Sequence, residues 1–145
     1  MKIPYKTLAF LIFPLMLMNT QCDDDDMAIP TCDQTAIIDP MFYQSAESAD
    51  FNLGNFSFNG SCFTVEISAS GCSGETWSIV LVDSGAVAES SPEQRHLKFV
   101  FTNDEACAAY IDQTRSFDLS PLQVEGSNEV VLNIEGIPEA IHYIY

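Results

Sequence analysis

The sequence predicts an all-β domain over residues 32–145, a small antiparallel β-sandwich with a small barrel as the alternative. Three observations carry the prediction. Short segments alternate apolar and polar residues with period two, as in Phe63, Val65, Ile67 and Ala69 against Thr64, Glu66 and Ser68. Turn signals recur at about 8–12 residue intervals, the spacing of sandwich and barrel strands. No segment of useful length carries the 3.6-residue period of a helix. Strand lengths look too uneven for a closed barrel, which favours the sandwich.

Ala36 to Ile38 reads as a strand broken by Asp39-Pro40, and Tyr43 to Ala49 as a helical turn. From Phe51 the β pattern is strong. Phe51 and Leu53 alternate, as do Phe56 and Phe58, and Gly54 between the pairs implies a bulge. Asn59-Gly60 signals a hairpin into the Phe63 strand. Gly71 to Gly74 turns the chain. Trp77, Ile79 and Leu81 then share one face while Val80 and Val82 are apolar on the other, the mark of a central strand. Asp83-Ser84-Gly85 is expected to end it, and Ser90 to Glu93 to form a surface loop. Leu97, Phe99 and Phe101 face one way, with His96, Lys98 and Val100 opposite. Tyr110-Ile111 and Phe117-Leu119 read as separate pieces, the second broken by Pro121. Val130, Leu132 and Ile134 form a further strand, and Ile141, Tyr143 and Tyr145 the last.

Ahead of this domain the sequence divides into residues 1–21 and 22–31. Lys2 and Lys6 precede an apolar run of eleven residues, Leu8 to Met18, a basic start and short hydrophobic core typical of a secretory signal peptide. A membrane-spanning helix needs about 20 apolar residues, so this run is too short to be one. Cys22 follows, then Asp23, Asp24, Asp25 and Asp26, and a short tether ending at Pro30. The segment resembles a bacterial lipoprotein signal, which implies cleavage before Cys22 and acylation (palmitate) of its thiol. The aspartates are similar to the export tag of Bacteroidota surface lipoproteins, which implies display on the outer face of the outer membrane.

All 21 carboxylates lie after Cys22, against Arg95, Lys98 and Arg115, so residues 22–145 carry −18. Such a charge repels nucleic acid and anionic headgroups and leaves a basic partner, a cation or a neutral glycan as acceptable company. With Cys22 assigned to lipid, four cysteines remain in an oxidising compartment: Cys32, Cys62, Cys72 and Cys107. Cys62 and Cys72 flank one strand and lie about 30 Å apart at about 3.3 Å per residue. A disulfide spans at most about 7 Å between Cα atoms, which excludes that pair and with it 32–107. If the Trp77–Asp83 and Leu97–Thr102 strands pair antiparallel, Cys72 falls near Cys107. Cys72–Cys107 with Cys32–Cys62 is therefore expected.

From about Cys32 onward the chain resembles a group of small flavobacterial lipoproteins with no assigned activity. The likeness rests on Ser70-Gly71-Cys72 with Trp77, Ala86-Val87-Ala88-Glu89-Ser90, Pro92-Glu93-Gln94-Arg95, Cys107, Ser116-Phe117-Asp118-Leu119 and Ile141-His142-Tyr143-Ile144-Tyr145. It implies a lipid-anchored envelope protein and supplies no catalytic residues.

Candidate chemistry is sparse. No C-x-x-C spacing accompanies the isolated His96 and His142, so no metal site and no cofactor is expected. Cys72 in its Gly71-Cys72-Ser73-Gly74 turn reads as a disulfide half rather than a nucleophile. Ser84, His96 and Asp83 supply the residue types of a triad but no nucleophile elbow. Arg95 is a candidate anion contact, set against a charge-pairing role with a nearby carboxylate. Tyr143 and Tyr145, with Tyr110, are candidate stacking contacts for a sugar. The expected function is a non-catalytic binding or structural module, held on the membrane by lipid on Cys22 and meeting an extracellular protein or glycan. Two alternatives stand beside it: a small secreted hydrolase using a histidine and a carboxylate, and a calcium-binding envelope protein.

Overall fold

The computed structural model describes residues 31–145. The expected signal peptide over residues 1–21, Cys22 and Asp23 to Asp26 lie outside the described residues. The chain forms β1 (Gln34–Thr35), β2 (Ile37–Ile38), α1 (Pro40–Ser45), β3 (Asn52–Asn59), β4 (Cys62–Gly71), β5 (Ser78–Ala88), β6 (Glu93–Thr102), β7 (Ala109–Asp118), a 3₁₀ turn (Ser120–Leu122), β8 (Glu129–Ile134) and β9 (Ile141–Ile144). A four-stranded sheet in the order β1-β7-β4-β3 faces a five-stranded sheet in the order β2-β5-β6-β8-β9. This is the predicted all-β sandwich, with no closed barrel.

The alternating residues of β4 set the inner face. Phe63, Val65, Ile67 and Ala69 are buried and Glu66 is exposed. The same period in β5 and β6 sends Ile79, Leu81, Leu97, Phe99 and Phe101 to the facing side. The sheets meet through Phe63, Phe99 and Phe117, with ring centroids 6.4 and 5.5 Å apart along that chain. Burying such rings is the main favourable term for a domain this size.

Pairing directions depart from the all-antiparallel expectation. The β1–β7, β2–β5 and β6–β8 pairs are parallel. The chain crosses between sheets at buried Ala36, so β1 and β2 are two-residue strands in different sheets. Two further readings are corrected. Asp83-Ser84-Gly85 does not end its strand. It forms a bulge, after which pairing with β6 resumes at Val87–Arg95. Gly85 takes φ +77° there, and a Cβ on it would lie 2.6 Å from Pro40 Cγ. The pieces at Tyr110 and Phe117 are one strand, β7, paired along the whole of β4. The hairpin loop is Gly60-Ser61, with Asn59 and Cys62 as the closing pair. Gly60 alone has positive φ, 59°, which fits a type II′ turn with glycine first rather than the Asn-Gly type I′.

The segment between α1 and β3 covers the outside of β5 and β6. Asp39 caps α1, its Oδ1 accepting from the Met41 and Phe42 amides at 3.0 and 2.9 Å. β8 pairs with β6 only as far as Leu97, which leaves the edge beyond it open. Ser48 and Ala49 close it: Phe101 N–H donates to Ser48 Oγ, and Ala49 N–H to Phe101 O. Lys98 Nζ donates to Ala46 O and stands 5.3 Å from the Tyr43 ring centroid. This cover buries Val82 and Val100, the outward apolar positions of β5 and β6.

Two disulfides staple the sandwich. Cys32 bonds Cys62, with Cα atoms 5.6 Å apart, and Cys72 bonds Cys107 at 4.8 Å. The second forms because β4 and β7 pair at Gly71–Ala109, which brings the residues flanking both strands together.

Candidate functional site

The charged and polar side chains of interest are placed by strand register. Arg95, read from sequence as a candidate anion contact, is 7% exposed and bonds Asp83, which is fully buried, at 3.0 Å. Asp83 pairs with Leu97 ahead of the β5 bulge, so Arg95, two residues along β6, is its diagonal neighbour on the same face. Asp83 Oδ1 also accepts from the Gly85 amide at 2.7 Å. Burial pushes the Asp83 carboxyl above its usual range, against the opposing pull of the Gly85 amide and Arg95. Asp83 Oδ2 and Arg95 Nε have no partner. Arg95 is thus a structural counter-ion, removed from any surface ligand. The same burial removes Asp83 from the Ser84–His96–Asp83 combination.

Tyr143 is 2% exposed, so its ring offers no platform to a sugar. Its hydroxyl donates to Ser61 Oγ and accepts from Gln123 Nε2, joining β9 to the β3–β4 hairpin. The Tyr145 ring lies beside it, tilted by 45° with centroids 5.1 Å apart, and its hydroxyl accepts from the Val124 amide. Both tyrosines are tied into the framework. Tyr110 is 62% exposed, on the opposite sheet.

His96 and His142 lie on one face of the second sheet, joined through the Asn133 and Val131 register positions of β8. Two strand spacings and two residues separate them, about 12 Å. His142 Nδ1 contacts Glu129 Oε1 across the β8–β9 pair. His96 lines a hollow of about 270 Å³ with Tyr43, Asn133, Glu135, Pro138 and Glu139. The Tyr43 hydroxyl donates to Glu135 Oε1 at 3.0 Å, and burial followed by that carboxylate pushes its pKa to about 12. Among the described residues no three His, Cys, Asp or Glu side chains converge to hold a metal ion.

Glu105 had no sequence signature, and its setting is highly specific. Its Oε2 accepts from the backbone amides of Cys72, Ser73 and Gly74, and its Oε1 from Thr76 Oγ1. Successive amides pointing inward form an anion nest, and here the chain fills its own nest. Those bonds, that of Gly74 foremost, hold the Glu105 carboxyl near pKa 2. The contact orders the turn beside the Cys72–Cys107 bridge.

The remaining feature is apolar. At the β3 side of the sandwich the sheets part. Phe51, Leu53 and Phe99 wall a cleft of about 450 Å³ whose rim carries Ser48, Asn52 and Glu135. Further along β3, Phe56 and Phe58 lean on Phe63 at 5.7 and 5.0 Å yet stay 43% and 39% exposed. Large apolar groups left open beside a polar rim mark a surface for contact rather than for chemistry.

No family model matches the chain, and no curated protein matches it. Two solved structures share its fold. A protein of unknown function, DUF1344, from Bacteroides vulgatus superposes with a TM-score of 0.51 at 16% identity, over 77% of this chain and 56% of that one. A NigD-like immunity protein from Bacteroides caccae gives 0.54 at 8% identity, over 74% and 57%. The chain spans a little over half the length of each. At these identities the likeness shows the fold alone, and both come from Bacteroides, in keeping with the Bacteroidota resemblance of the sequence.

Proposed function

We propose that this protein is a non-catalytic binding or structural module, carried on the outer face of the outer membrane by a lipid on Cys22. The observation that carries the reading is the apolar cleft of Phe51, Leu53 and Phe99 at the parted edge of the sheets. Its Phe51, Leu53 and Phe99 wall is apolar and its Ser48, Asn52 and Glu135 rim polar, which suits an apolar side chain of an extracellular protein partner. The conspicuous ionic and aromatic candidates support this by their employment elsewhere. Asp83 neutralises Arg95, Glu105 fills a backbone nest, and Tyr143 ties a hairpin. The similarity to an immunity protein adds the fold and no activity.

The test is unreduced mass spectrometry of protein purified from its own membranes, together with protease shaving of whole cells. A diacyl or triacyl mass on Cys22 and loss on shaving support the reading. An unmodified Cys22 in a soluble fraction overturns the anchor. A photo-crosslinker at Asn52, on the cleft rim, should capture a partner that one at Thr114, on the outer face of β7, does not. Loss of an activity on joint substitution of His96 and His142 would overturn the non-catalytic assignment.

A further inference from the structure

We propose that the free edge of β3 pairs with β3 of a second copy, making a two-fold symmetric dimer with one continuous sheet. Among the described residues β3 ends its sheet, so one side of its backbone is unpaired there. The hairpin rule says which groups those are. Asn59 and Cys62 close a two-residue loop and exchange their hydrogen bonds. Asn59 and Ser57 therefore turn their amides and carbonyls toward β4, and Phe56 and Phe58 turn theirs to the open edge.

Natural edges are guarded by lysine, proline or charge. β3 has none of these across its eight residues, although residues 22–145 carry −18. Its one irregularity is the shift between Leu53 and Phe56, which confines regular pairing beyond the bulge to residues 56–59.

That stretch is self-complementary. An antiparallel partner centred on Ser57 sets Phe56 opposite Phe58′ twice. Each such pair joins the residues whose backbone groups point outward, so the hydrogen bonds and the ring contacts form together. Phe56-Ser57-Phe58 reads the same in both directions, so a second copy matches the strip residue for residue, while the Glu66 carboxylate is held by Asn55, two residues from the axis. The cleft at Phe51 and Leu53 lies before the bulge and stays open, so this inference stands apart from the partner-binding reading.

The experiment introduces one cysteine into the full-length chain in the producing cells and adds oxidised glutathione, which takes the two electrons as two thiols lose their protons. Ser57 lies on the two-fold axis in a non-hydrogen-bonded pair, with Cα atoms about 4.5 Å apart, within disulfide reach. Asn59 and Asn59′ lie about 13 Å apart and are out of reach. Ser57→Cys should give a disulfide-linked species at twice the monomer mass, and Asn59→Cys should not. Ser57→Lys, which opposes two ammonium groups on the axis, should abolish self-association in sedimentation equilibrium while the far-ultraviolet circular dichroism of the folded domain is unchanged. A monomeric Ser57→Cys, equal linking through Asn59→Cys, a Ser57→Cys adduct to a different protein, or self-association surviving in Ser57→Lys would each overturn the proposal.

Discussion

Arg95→Met should be among the most damaging single substitutions in this domain. Asp83 is fully buried, and its Oδ1 holds two bonds, from Arg95 at 3.0 Å and from the Gly85 amide at 2.7 Å. Removing the guanidinium leaves a dry carboxylate with one backbone donor. Breaking a buried pair from one side costs about 3–5 kcal/mol, a large part of the roughly 5–15 kcal/mol that holds a domain folded. The Asp83 carboxyl already sits above its unfolded value because of burial, and without Arg95 it rises further. A raised folded-state pKa means that Asp83 favours the fold at low pH and opposes it as pH climbs through that value. The penalty in Arg95→Met should therefore be larger at pH 7 than at pH 4, just above the ordinary value of 3.8. Urea unfolding with both disulfides intact, at the two pH values, measures this. The joint Asp83→Leu/Arg95→Met variant removes the orphaned charge and should recover most of the loss. A single-variant loss under about 1 kcal/mol, or one identical at both pH values, would refute the reasoning.

Glu105→Gln has the opposite pH signature. The Glu105 pKa is depressed to about 2 from 4.5, so its contribution is present above 4.5 and is lost as pH falls toward 2. The melting-temperature gap between wild type and Glu105→Gln should be open at pH 6 and closed at pH 2. Replacing Cys32 and Cys62 by serine removes a link across 30 residues and should cost about 4 kcal/mol by loop-closure entropy, read from the shift in urea midpoint. Gly85→Ala and Gly126→Ala both force a side chain onto positive φ, but Gly126 has nothing within 4 Å while Gly85 faces Pro40. Gly85→Ala should destabilise by more than about 1 kcal/mol and by more than Gly126→Ala in the same denaturation assay.

How much was legible in the sequence follows from what a period of two encodes. It tells which face a residue takes, so the β4 row, the Leu97–Phe99–Phe101 row and the sandwich itself could be read directly. It is silent on direction, so the parallel β6–β8 pair had no signature. Asp83-Ser84-Gly85 looks the same as a turn or as a bulge, and only the hydrogen bonds resuming at Val87 distinguish them. β7 was divided because its middle faces solvent and lacks apolar alternation. The disulfide geometry was accessible because it depends on strand ends. The site was not. Arg95 meets Asp83 as a diagonal neighbour set by the Asp83–Leu97 register, which a period of two does not specify, Tyr143 turns inward because β9 packs on the hairpin, and the Glu105 nest is built from amides that every residue type carries.

The Cys32–Cys62 bond has a mechanical consequence. A pull on the chain from its N-terminal side would otherwise load β1 and β2, two residues each, and peel them away one hydrogen bond at a time. The covalent link instead passes the force at Cys32 straight to the start of β4, a strand bonded to neighbours on both sides. Extraction of β4 must slide its ladders lengthwise, with many bonds sharing the load. The bond thus makes the N-terminal entry one of the strongest parts of the domain rather than the weakest.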